Sequence, residues 1–294
     1  MLFVQKIKWY LHLIRFSHTI FAMPFALLGT AIAYSHTPEK FSFEKLIYII
    51  LCMFFARTAA MAFNRYLDKD IDKLNPRTKN REIPSNKVKP IEALILTILS
   101  SILFSVFSYL LNPLCFYLSP IALMVILGYS YTKRFTWLCH LILGLGLALA
   151  PIGSYIAITS TIHPIIIIIG VSVLFWVSGF DIIYALQDEE FDKAHQLYSI
   201  PAFLGKKKSI YLARLLHFLS GSLLFWIYIQ YSLGIIYLIG WLVFSVLLIY
   251  EHYLVTPKDI SKVPFAFGNL NGWAGLIFGT FGIIDVLIKN SSLS

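Results

Sequence analysis

The sequence predicts an all-α membrane protein whose helices cross the bilayer about nine times. Of its 294 residues, 58% are hydrophobic and 13% are charged, and the mean hydropathy is +0.75. A soluble domain carries roughly 25% charged residues, so the composition excludes an ordinary soluble globule, a disordered chain and a fibrous repeat. The apolar stretches approach the ~20 residues that a helix needs to cross a bilayer. They lack the alternation typical of an outer-membrane barrel.

We interpret residues 1–294 as a single membrane-embedded domain. Residues 1–18 carry basic residues among apolar ones and lack a convincing cleavage site, which favours an interfacial segment over a removed signal peptide. The predicted spans follow at 19–35, 45–63, 91–111, 116–131, 138–159, 164–186, 211–230, 233–250 and 266–288.

The distribution of basic residues predicts a cytoplasmic N-terminus. With that orientation, 20 of the 24 Lys and Arg residues fall in segments on the inner side, as the positive-inside rule requires. The net charge of +9 is thereby explained without a nucleic-acid partner. The inner connections are long and the outer ones short. We therefore expect a multi-pass protein of a bacterial-type inner membrane with its active site facing the cytoplasm.

Two inner loops begin with carboxylates at matched positions. Asp68 and Asp72 follow the second predicted span, and Asp188 and Asp192 follow the sixth, 120 residues later in both cases. Residues four apart share a helix face, so each motif forms an acidic stripe where its span leaves the membrane. Asn64 extends the first stripe. The matched spacing, four spans apart, suggests a duplicated four-helix unit followed by a ninth helix.

The paired carboxylates predict a site for hard cations. Stacked carboxylates repel one another, and bound cations relieve that repulsion. Ligands that are all oxygen atoms select ions such as Mg²⁺, which keep open positions for substrate phosphates. The alternative is that each motif is an ordinary solvated helix end, since Lys69, Lys73 and Lys193 lie nearby. Duplication of the motif at two helix exits favours the metal site.

Basic residues lie close to both acidic motifs in the sequence. Arg77 and Arg81 follow the first motif, and Lys133 and Arg134 follow the fourth span. Acidic groups, metal ions and basic groups together bind and activate a diphosphate. The alternative for each basic residue is simple positive-inside charge.

Arg57 lies within the second predicted span, seven residues before Asn64. A charge inside a span is costly and indicates a function by default. It can pair with Asp181, which is similarly deep on the sixth span, or it can receive an anionic group of a substrate.

The motifs resemble those of the UbiA family of intramembrane prenyltransferases, and the resemblance runs along the whole chain. It rests on the two acidic motifs, including Asp181 and Tyr184 ahead of the second, and on four further segments. These are Arg15 to Ala26 with His18 and Pro24, Asn75 to Arg81, Tyr131 to Arg134, and Phe265 to Asn271. The likeness is greatest to 4-hydroxybenzoate polyprenyltransferases and their relatives in menaquinone synthesis.

The resemblance implies a Mg²⁺-dependent transfer of a polyprenyl group from polyprenyl diphosphate to an aromatic acid, with ubiquinone-type quinones as the end product. It implies that Asp68, Asp72, Asp188 and Asp192 hold two Mg²⁺ ions, with Asn64 assisting. Lys133, Arg134 or Lys193 would help to hold the diphosphate, and the chain would lie in an apolar groove that opens to lipid. We assign Arg57 to the carboxylate of the aromatic acid. The remaining predicted substrate-binding residues are Arg77, Arg81, Asp181 and Tyr184.

Two alternatives to this function remain. Arg65 follows the motif asparagine at a position where many 4-hydroxybenzoate enzymes carry an acidic residue. This favours the branch that acts on naphthoate-type acceptors in menaquinone synthesis. A membrane transporter is the alternative from a different class, but transporter sites lie near the bilayer midplane, whereas these carboxylates cluster at one edge.

Overall fold

The structure is a computed structural model that describes residues 2–15 and 21–291 of the chain. It is built from helices alone within those residues, as predicted. They are α1 (Leu2–Leu13), α2 (Met23–His36), α3 (Phe43–Leu67), α4 (Lys69–Leu74), α5 (Pro90–Leu111), α6 (Pro113–Thr132), α7 (Cys139–Thr159), α8 (Pro164–Ala185), α9 (Glu189–Ala194), α10 (Ile200–Gln230), α11 (Ile235–Leu254), α12 (Val263–Phe265) and α13 (Asn271–Ser291).

Eight helical segments in this described part are long and apolar enough to cross a membrane. They correspond to eight of the nine predicted spans. The remaining predicted span, 19–35, is the first in chain order. It begins among residues outside the described ones, and its described portion, α2, has 14 residues. Residues 16–20, which include His18 of the N-terminal motif, also lie outside the described residues.

The helix boundaries follow from local sequence chemistry. Proline occupies the first helical turn of α5, α6, α8 and α10, where its missing N–H would have no intrahelical partner. The Ser42 and Asn112 side chains accept hydrogen bonds from backbone amides at the starts of α3 and α6, which caps both helices. Gly205 bends α10 at a φ of 75°, a conformation that glycine adopts without a steric penalty.

The helices pack in two groups that meet at α7. On one side α3 lies along α5, and α6 packs against α5 and α7; on the other, α8 lies between α7 and α10, and α11 lies along α13. α2 packs against both α7 and α13 and closes the bundle. The largest core cluster contains Phe25, Trp176, Phe244 and Phe278, each at most 1% exposed. Many isoleucine and leucine side chains face outward on the spans, as lipid contact permits.

The loop after α4 and the start of α9 lie at the same end of the bundle, since Asn75 and Arg77 of that loop contact Asp188, which directly precedes α9. The α1 residue Leu13 packs with Ala62 of α3 and with Ile83 and Val88 of the first loop. The N-terminal segment therefore braces the loop that carries Arg77 and Arg81.

Gly29 marks a close approach between α2 and α7. A Cβ atom at this position would collide with the main-chain oxygen of Pro151 and lie 2.5 Å from Ser154 Oγ. We expect Gly29→Ala to destabilise the protein by about 1–3 kcal/mol, as overpacking does in other tightly packed cores. Thermal unfolding in detergent micelles measures this as a lower midpoint.

Gly128→Ala is the matched control, because a Cβ atom there would meet no atom within 4 Å. Its midpoint should stay at or slightly above that of the unmodified protein, since alanine favours helix. An unchanged midpoint for Gly29→Ala would contradict the close α2–α7 contact.

Candidate active site

The two acidic motifs occupy equivalent breaks at the ends of α3 and α8. Asp68 lies between α3 and α4 with φ −90° and ψ 5°, and Asp188 precedes α9 with φ −105° and ψ 3°. Neither side chain caps the short helix that follows. The Asp72 amide still donates to the Asp68 carbonyl at 2.7 Å, so the predicted stripe persists across the break. The backbone thus breaks in the same way at both motifs.

One pocket of about 280 Å³ receives side chains from both motifs. Its walls include nearly every residue that the sequence singled out: Asn64, Asp68, Asp72, Asp188, Asp192, Arg57, Arg77, Arg81, Lys133, Asp181 and Tyr184. The two motifs, far apart in sequence, therefore form one site.

Asp68 is held by two basic residues from the loop after α6. Lys133 Nζ lies 2.5 Å from Asp68 Oδ2, and Arg134 Nη2 lies 2.9 Å from Oδ1. Asn64 also donates to Oδ2, at 3.1 Å. Arg134 reaches the Leu67 carbonyl as well, at 3.0 Å. The Asp68 side chain is only 3% exposed, so these contacts offset the cost of burying its charge.

Asp72 has a basic partner of its own. Arg81 Nη1 donates to both Asp72 oxygens, at 2.7 and 2.9 Å. Thr78 Oγ1 donates to the Asp72 carbonyl at 3.0 Å. These contacts fold the first loop back onto α4.

Asp188 joins the second motif to the loop of the first. Asn75 Nδ2 and Arg77 Nε each donate to Asp188 Oδ1 at 2.9 Å, and Arg77 Nη2 pairs with Oδ2. Arg77 Nη1 donates to the Tyr184 hydroxyl at 2.8 Å, and its guanidinium lies over the Tyr184 ring. Burial alone would lower the pKa of Arg77, but its hydrogen bonds to Asp188 and the nearby acidic groups raise it above the ordinary value.

Asp192 and Lys193 differ in their environment. Ser199 Oγ donates to Asp192 Oδ2 at 2.7 Å, and Asp192 lines the pocket. Lys193 Nζ pairs with Glu189 at 2.6 Å, with half of the Lys193 side chain exposed. Lys193 therefore lies outside the pocket lining. Of the three basic residues that the resemblance assigned to the diphosphate (Lys133, Arg134 and Lys193), Lys133 and Arg134 contact a motif carboxylate.

The donor chemistry of the pocket fits a hard cation. Within the described part of the chain, no three acidic, histidine or cysteine side chains converge as a ready metal cluster, because each motif carboxylate contacts a basic or polar partner. The four carboxylates and Asn64 nevertheless supply only oxygen ligands to one pocket, which is the set that Mg²⁺ prefers.

The inner part of the pocket holds Arg57 and Asp181. Asp181 pairs with His140, 2.7 Å from Nδ1 to Oδ2, so the ion pair with Arg57 that we considered from the sequence is not formed. Arg57 Nε is buried and has no hydrogen-bond partner among the described residues. The Arg57 guanidinium is thus available to an anionic ligand.

A second, apolar chamber of about 400 Å³ adjoins the pocket. The two share Arg57, Met61, Tyr129, Leu143 and Leu147 in their walls. The combined space is charged at the loop end and apolar beyond Arg57. It suits an amphiphilic ligand with an anionic head.

A sequence model of the UbiA prenyltransferase family matches residues 22–275. The chain belongs to this family. It is therefore an integral membrane prenyltransferase, which excludes the transporter alternative.

Two similar proteins support the assignment to this family. The chain is 28% identical to a 4-hydroxybenzoate octaprenyltransferase of Francisella tularensis subsp. tularensis, over 97% of this chain and 98% of that protein. A 4-hydroxybenzoate octaprenyltransferase of Polynucleobacter asymbioticus is 29% identical, over 84% and 85% respectively.

Two solved UbiA homologues share the fold. The apo structure of a homologue from Aeropyrum pernix K1 is 32% identical, with a TM-score of 0.82 over 91% of this chain and 98% of that one. A homologue from Archaeoglobus fulgidus, solved with DMAPP and Mg²⁺, is 19% identical, with a TM-score of 0.70 over 95% and 99%.

The site also contains residues to which the sequence alone gave no role. His140 is buried against Asp181, Asn75 bonds Asp188, and Ser199 bonds Asp192. Arg65 is buried and donates to Asn64 Oδ1 at 3.2 Å. The sequence signal that could have pointed to a role for His140 is the position of a histidine at the start of an apolar span. The other contacts depend on how this UbiA chain folds its loops.

The buried Arg81–Asp72 pair yields a test of the site's architecture. Arg81→Met removes the partner of a carboxylate that is only 5% exposed, so we expect a loss of about 3 kcal/mol, since breaking a buried pair leaves an uncompensated charge. Thermal unfolding in detergent with a chelator measures the loss without neutralisation by added cations.

The double variant Asp72→Asn with Arg81→Met should recover most of that stability, because it removes the charge along with its partner. If the double variant is no more stable than Arg81→Met, buried charge is not the cause of the loss.

Proposed function

We propose that this protein transfers a polyprenyl group from a polyprenyl diphosphate to 4-hydroxybenzoate in quinone biosynthesis of the ubiquinone type. The observation that carries the proposal is the pair of adjoining cavities that share Arg57 in their walls, one lined by charged groups and the other apolar. The names of the relatives from Francisella and Polynucleobacter support the acceptor.

The charged end is suited to bind the diphosphate of the donor. Asp68, Asp72, Asp188 and Asp192 would hold Mg²⁺, directly or through water, with Asn64 assisting. When bound, Mg²⁺ neutralises the charge that develops on the leaving diphosphate. Lys133, Arg134, Arg77 and Arg81 adjoin these carboxylates and donate hydrogen bonds to phosphate oxygens.

The inner part of the cavity is suited to the acceptor and to the apolar chain. Arg57 would bind the acceptor carboxylate, because its Nε is buried without a partner and a buried cation gains most from an anionic ligand. The apolar chamber accommodates isoprene units. Tyr184 and Phe267, whose ring centroids are 4.3 Å apart, lie in the pocket wall and would stabilise an allylic cation by cation–π attraction.

The orientation of the site forms part of the proposal. The loops that bear the motifs contain most of the basic residues, which supports a cytoplasmic site by the positive-inside rule. A bacterial inner membrane matches the source of the named relatives. A water-soluble aromatic acid would then enter from the cytoplasm.

A naphthoate-type acceptor in menaquinone synthesis is the second candidate. Arg65 supports it, since this residue is buried beside Asn64 and lines the pocket. The mechanism is the same for both acceptors.

A prenyl-transfer assay tests the class and the acceptor together. We expect purified protein in liposomes, with Mg²⁺ and a long-chain polyprenyl diphosphate, to prenylate 4-hydroxybenzoate rather than dihydroxynaphthoates, as identified by mass spectrometry. Asp68→Ala and Asp188→Ala should abolish the product, and a chelator should do so reversibly, because the leaving diphosphate then lacks neutralisation.

Asp70→Ala is the matched control, since Asp70 lies in the same motif but its side chain is 84% exposed. It should retain activity. A naphthoate product would move the protein to menaquinone synthesis, and the absence of any prenylated acceptor would overturn the proposal.

The role of Arg57 has its own kinetic test. Arg57→Ala should raise the KM for 4-hydroxybenzoate about tenfold or more, since a hydrogen bond to a charged group contributes roughly 1.5–3 kcal/mol. The KM for the polyprenyl diphosphate should change far less. Arg214→Ala, an exposed arginine outside the pocket, serves as the control, and equal effects on both KM values would sink the assignment.

A further inference from the structure

His140 and Asp181 form a buried pair inside the cavity, apart from the two acidic motifs. His140 lies in the first turn of α7 and Asp181 in α8, with His140 Nδ1 2.7 Å from Asp181 Oδ2. The side chains are 4% and 21% exposed, respectively. Both residues line the pocket with the motif carboxylates.

The hydrogen bonds of His140 fix where its proton lies. The Ile200 amide donates to His140 Nε2 at 3.3 Å, so Nε2 carries a lone pair. A neutral imidazole then bears its proton on Nδ1, and this proton is donated to Asp181 Oδ2. The imidazole therefore donates to the Asp181 carboxylate and orients it.

Asp181 retains one oxygen for a ligand. The hydrogen bond from His140 is the only one that Asp181 makes within the described residues, and it engages Oδ2 alone. Asp181 Oδ1 is thus able to accept a hydrogen bond from a molecule in the pocket. Arg57, on α3, lines the same pocket and carries the opposite charge.

The two charges match the two ends of a hydroxylated aromatic acid. A carboxylate on Arg57 leaves the hydroxyl group at the other end of the ring to find an acceptor, and Asp181 supplies one. We propose that Asp181 is the base for the acceptor's hydroxyl group and that His140 is a positioning residue that orients the Asp181 carboxylate. This inference rests on the proposed prenyl transfer to such an acid.

The proton transfer balances as follows. The hydroxyl proton moves to Asp181 Oδ1 while the adjacent ring carbon bonds to C1 of the prenyl group. The C1–O bond breaks, and the diphosphate leaves with its electron pair. The resulting dienone becomes aromatic again when its ring carbon loses a proton to the released diphosphate and its oxygen regains the proton from Asp181. Asp181 thus ends as it began.

Variants of both residues test the assignment. We expect His140→Leu and Asp181→Asn to lower kcat by about 10²-fold or more, the usual contribution of general base catalysis, with the KM for the polyprenyl diphosphate unchanged. His140→Gln should retain more activity than His140→Leu, because its amide can still donate to Asp181. His195→Leu is the control, since His195 is exposed and lies outside the pocket lining.

A more acidic acceptor separates base catalysis from a structural role. A fluorine beside the hydroxyl of 4-hydroxybenzoate ionises that hydroxyl near neutral pH, so this acceptor needs no base. We compare the kcat of each variant with that of the unmodified enzyme. For His140→Leu and Asp181→Asn, this ratio should be at least tenfold higher with the fluorinated acceptor than with 4-hydroxybenzoate. A purely structural defect would affect both acceptors equally.

The outcomes are distinguishable. Equal losses on both acceptors, or an unchanged kcat in Asp181→Asn, would overturn this inference while leaving prenyl transfer intact. Should His140→Leu lose donor binding through misfolding, His140→Gln and Asp181→Asn carry the test alone. Failure of the proposed function is a different result, in which the unmodified protein prenylates no hydroxylated aromatic acid.

Discussion

The need to neutralise buried carboxylates at one end of the bundle governs the architecture of this protein. Asp68 and Asp72 are each at most 5% exposed on their side chains, and burial of an unpaired charge is costly. The pairing therefore recruits basic residues from two different loops. Asn75 and Arg77 extend from the first motif's loop to Asp188, so the same contacts that neutralise charge also join the two halves of the bundle. Loop structure, helix ends and the shape of the pocket all follow from this one requirement.

The same charge balance constrains how a diphosphate enters. Asp68, Asp72 and Asp188 pair with the cationic groups of Arg77, Arg81, Lys133 and Arg134, whereas Asp192 accepts a hydrogen bond from Ser199. A diphosphate alone would add several negative charges beside carboxylates whose basic partners are already engaged. In the proposed reaction the motif carboxylates would hold divalent cations, which would neutralise the donor diphosphate, and the basic side chains would then be free to donate hydrogen bonds to the phosphate oxygens. Such an exchange requires flexible partners, and lysine and arginine side chains provide them.

The sequence predicted the parts of this arrangement that depend on spacing and failed on those that depend on packing. Hydropathy located eight spans that the structure describes, and the repeated i, i+4 carboxylates indicated one shared pocket, because helix periodicity alone decides which residues share a face. The partner of Asp181 was out of reach: His140 is 41 residues away and meets Asp181 only because α7 packs along α8. Lys193 shows a second limit, because a residue next to a site residue in the sequence need not lie in the site. The family resemblance implied that Lys193 could help to hold the diphosphate, yet adjacent helical residues point in different directions, and Lys193 pairs with Glu189 one turn away.

The aromatic wall around Tyr184 depends on an irregular turn in front of α13. Residues Ala266–Leu270 form a π-helical turn, a rare conformation that recurs at functional sites. Such a turn displaces the backbone by one residue, and here Phe267 contacts the rings of Tyr184, Phe180 and Phe21. Asn271 stabilises the turn by donating to the Ala266 carbonyl at 3.0 Å and to Glu251 at 2.9 Å, while Trp176 donates to Asn271 at 2.8 Å. A regular helix would place residue 267 differently. The aromatic wall beside the diphosphate site thus depends on a buried polar network behind it. Asn271, in the motif at the start of the last span, therefore has a structural role.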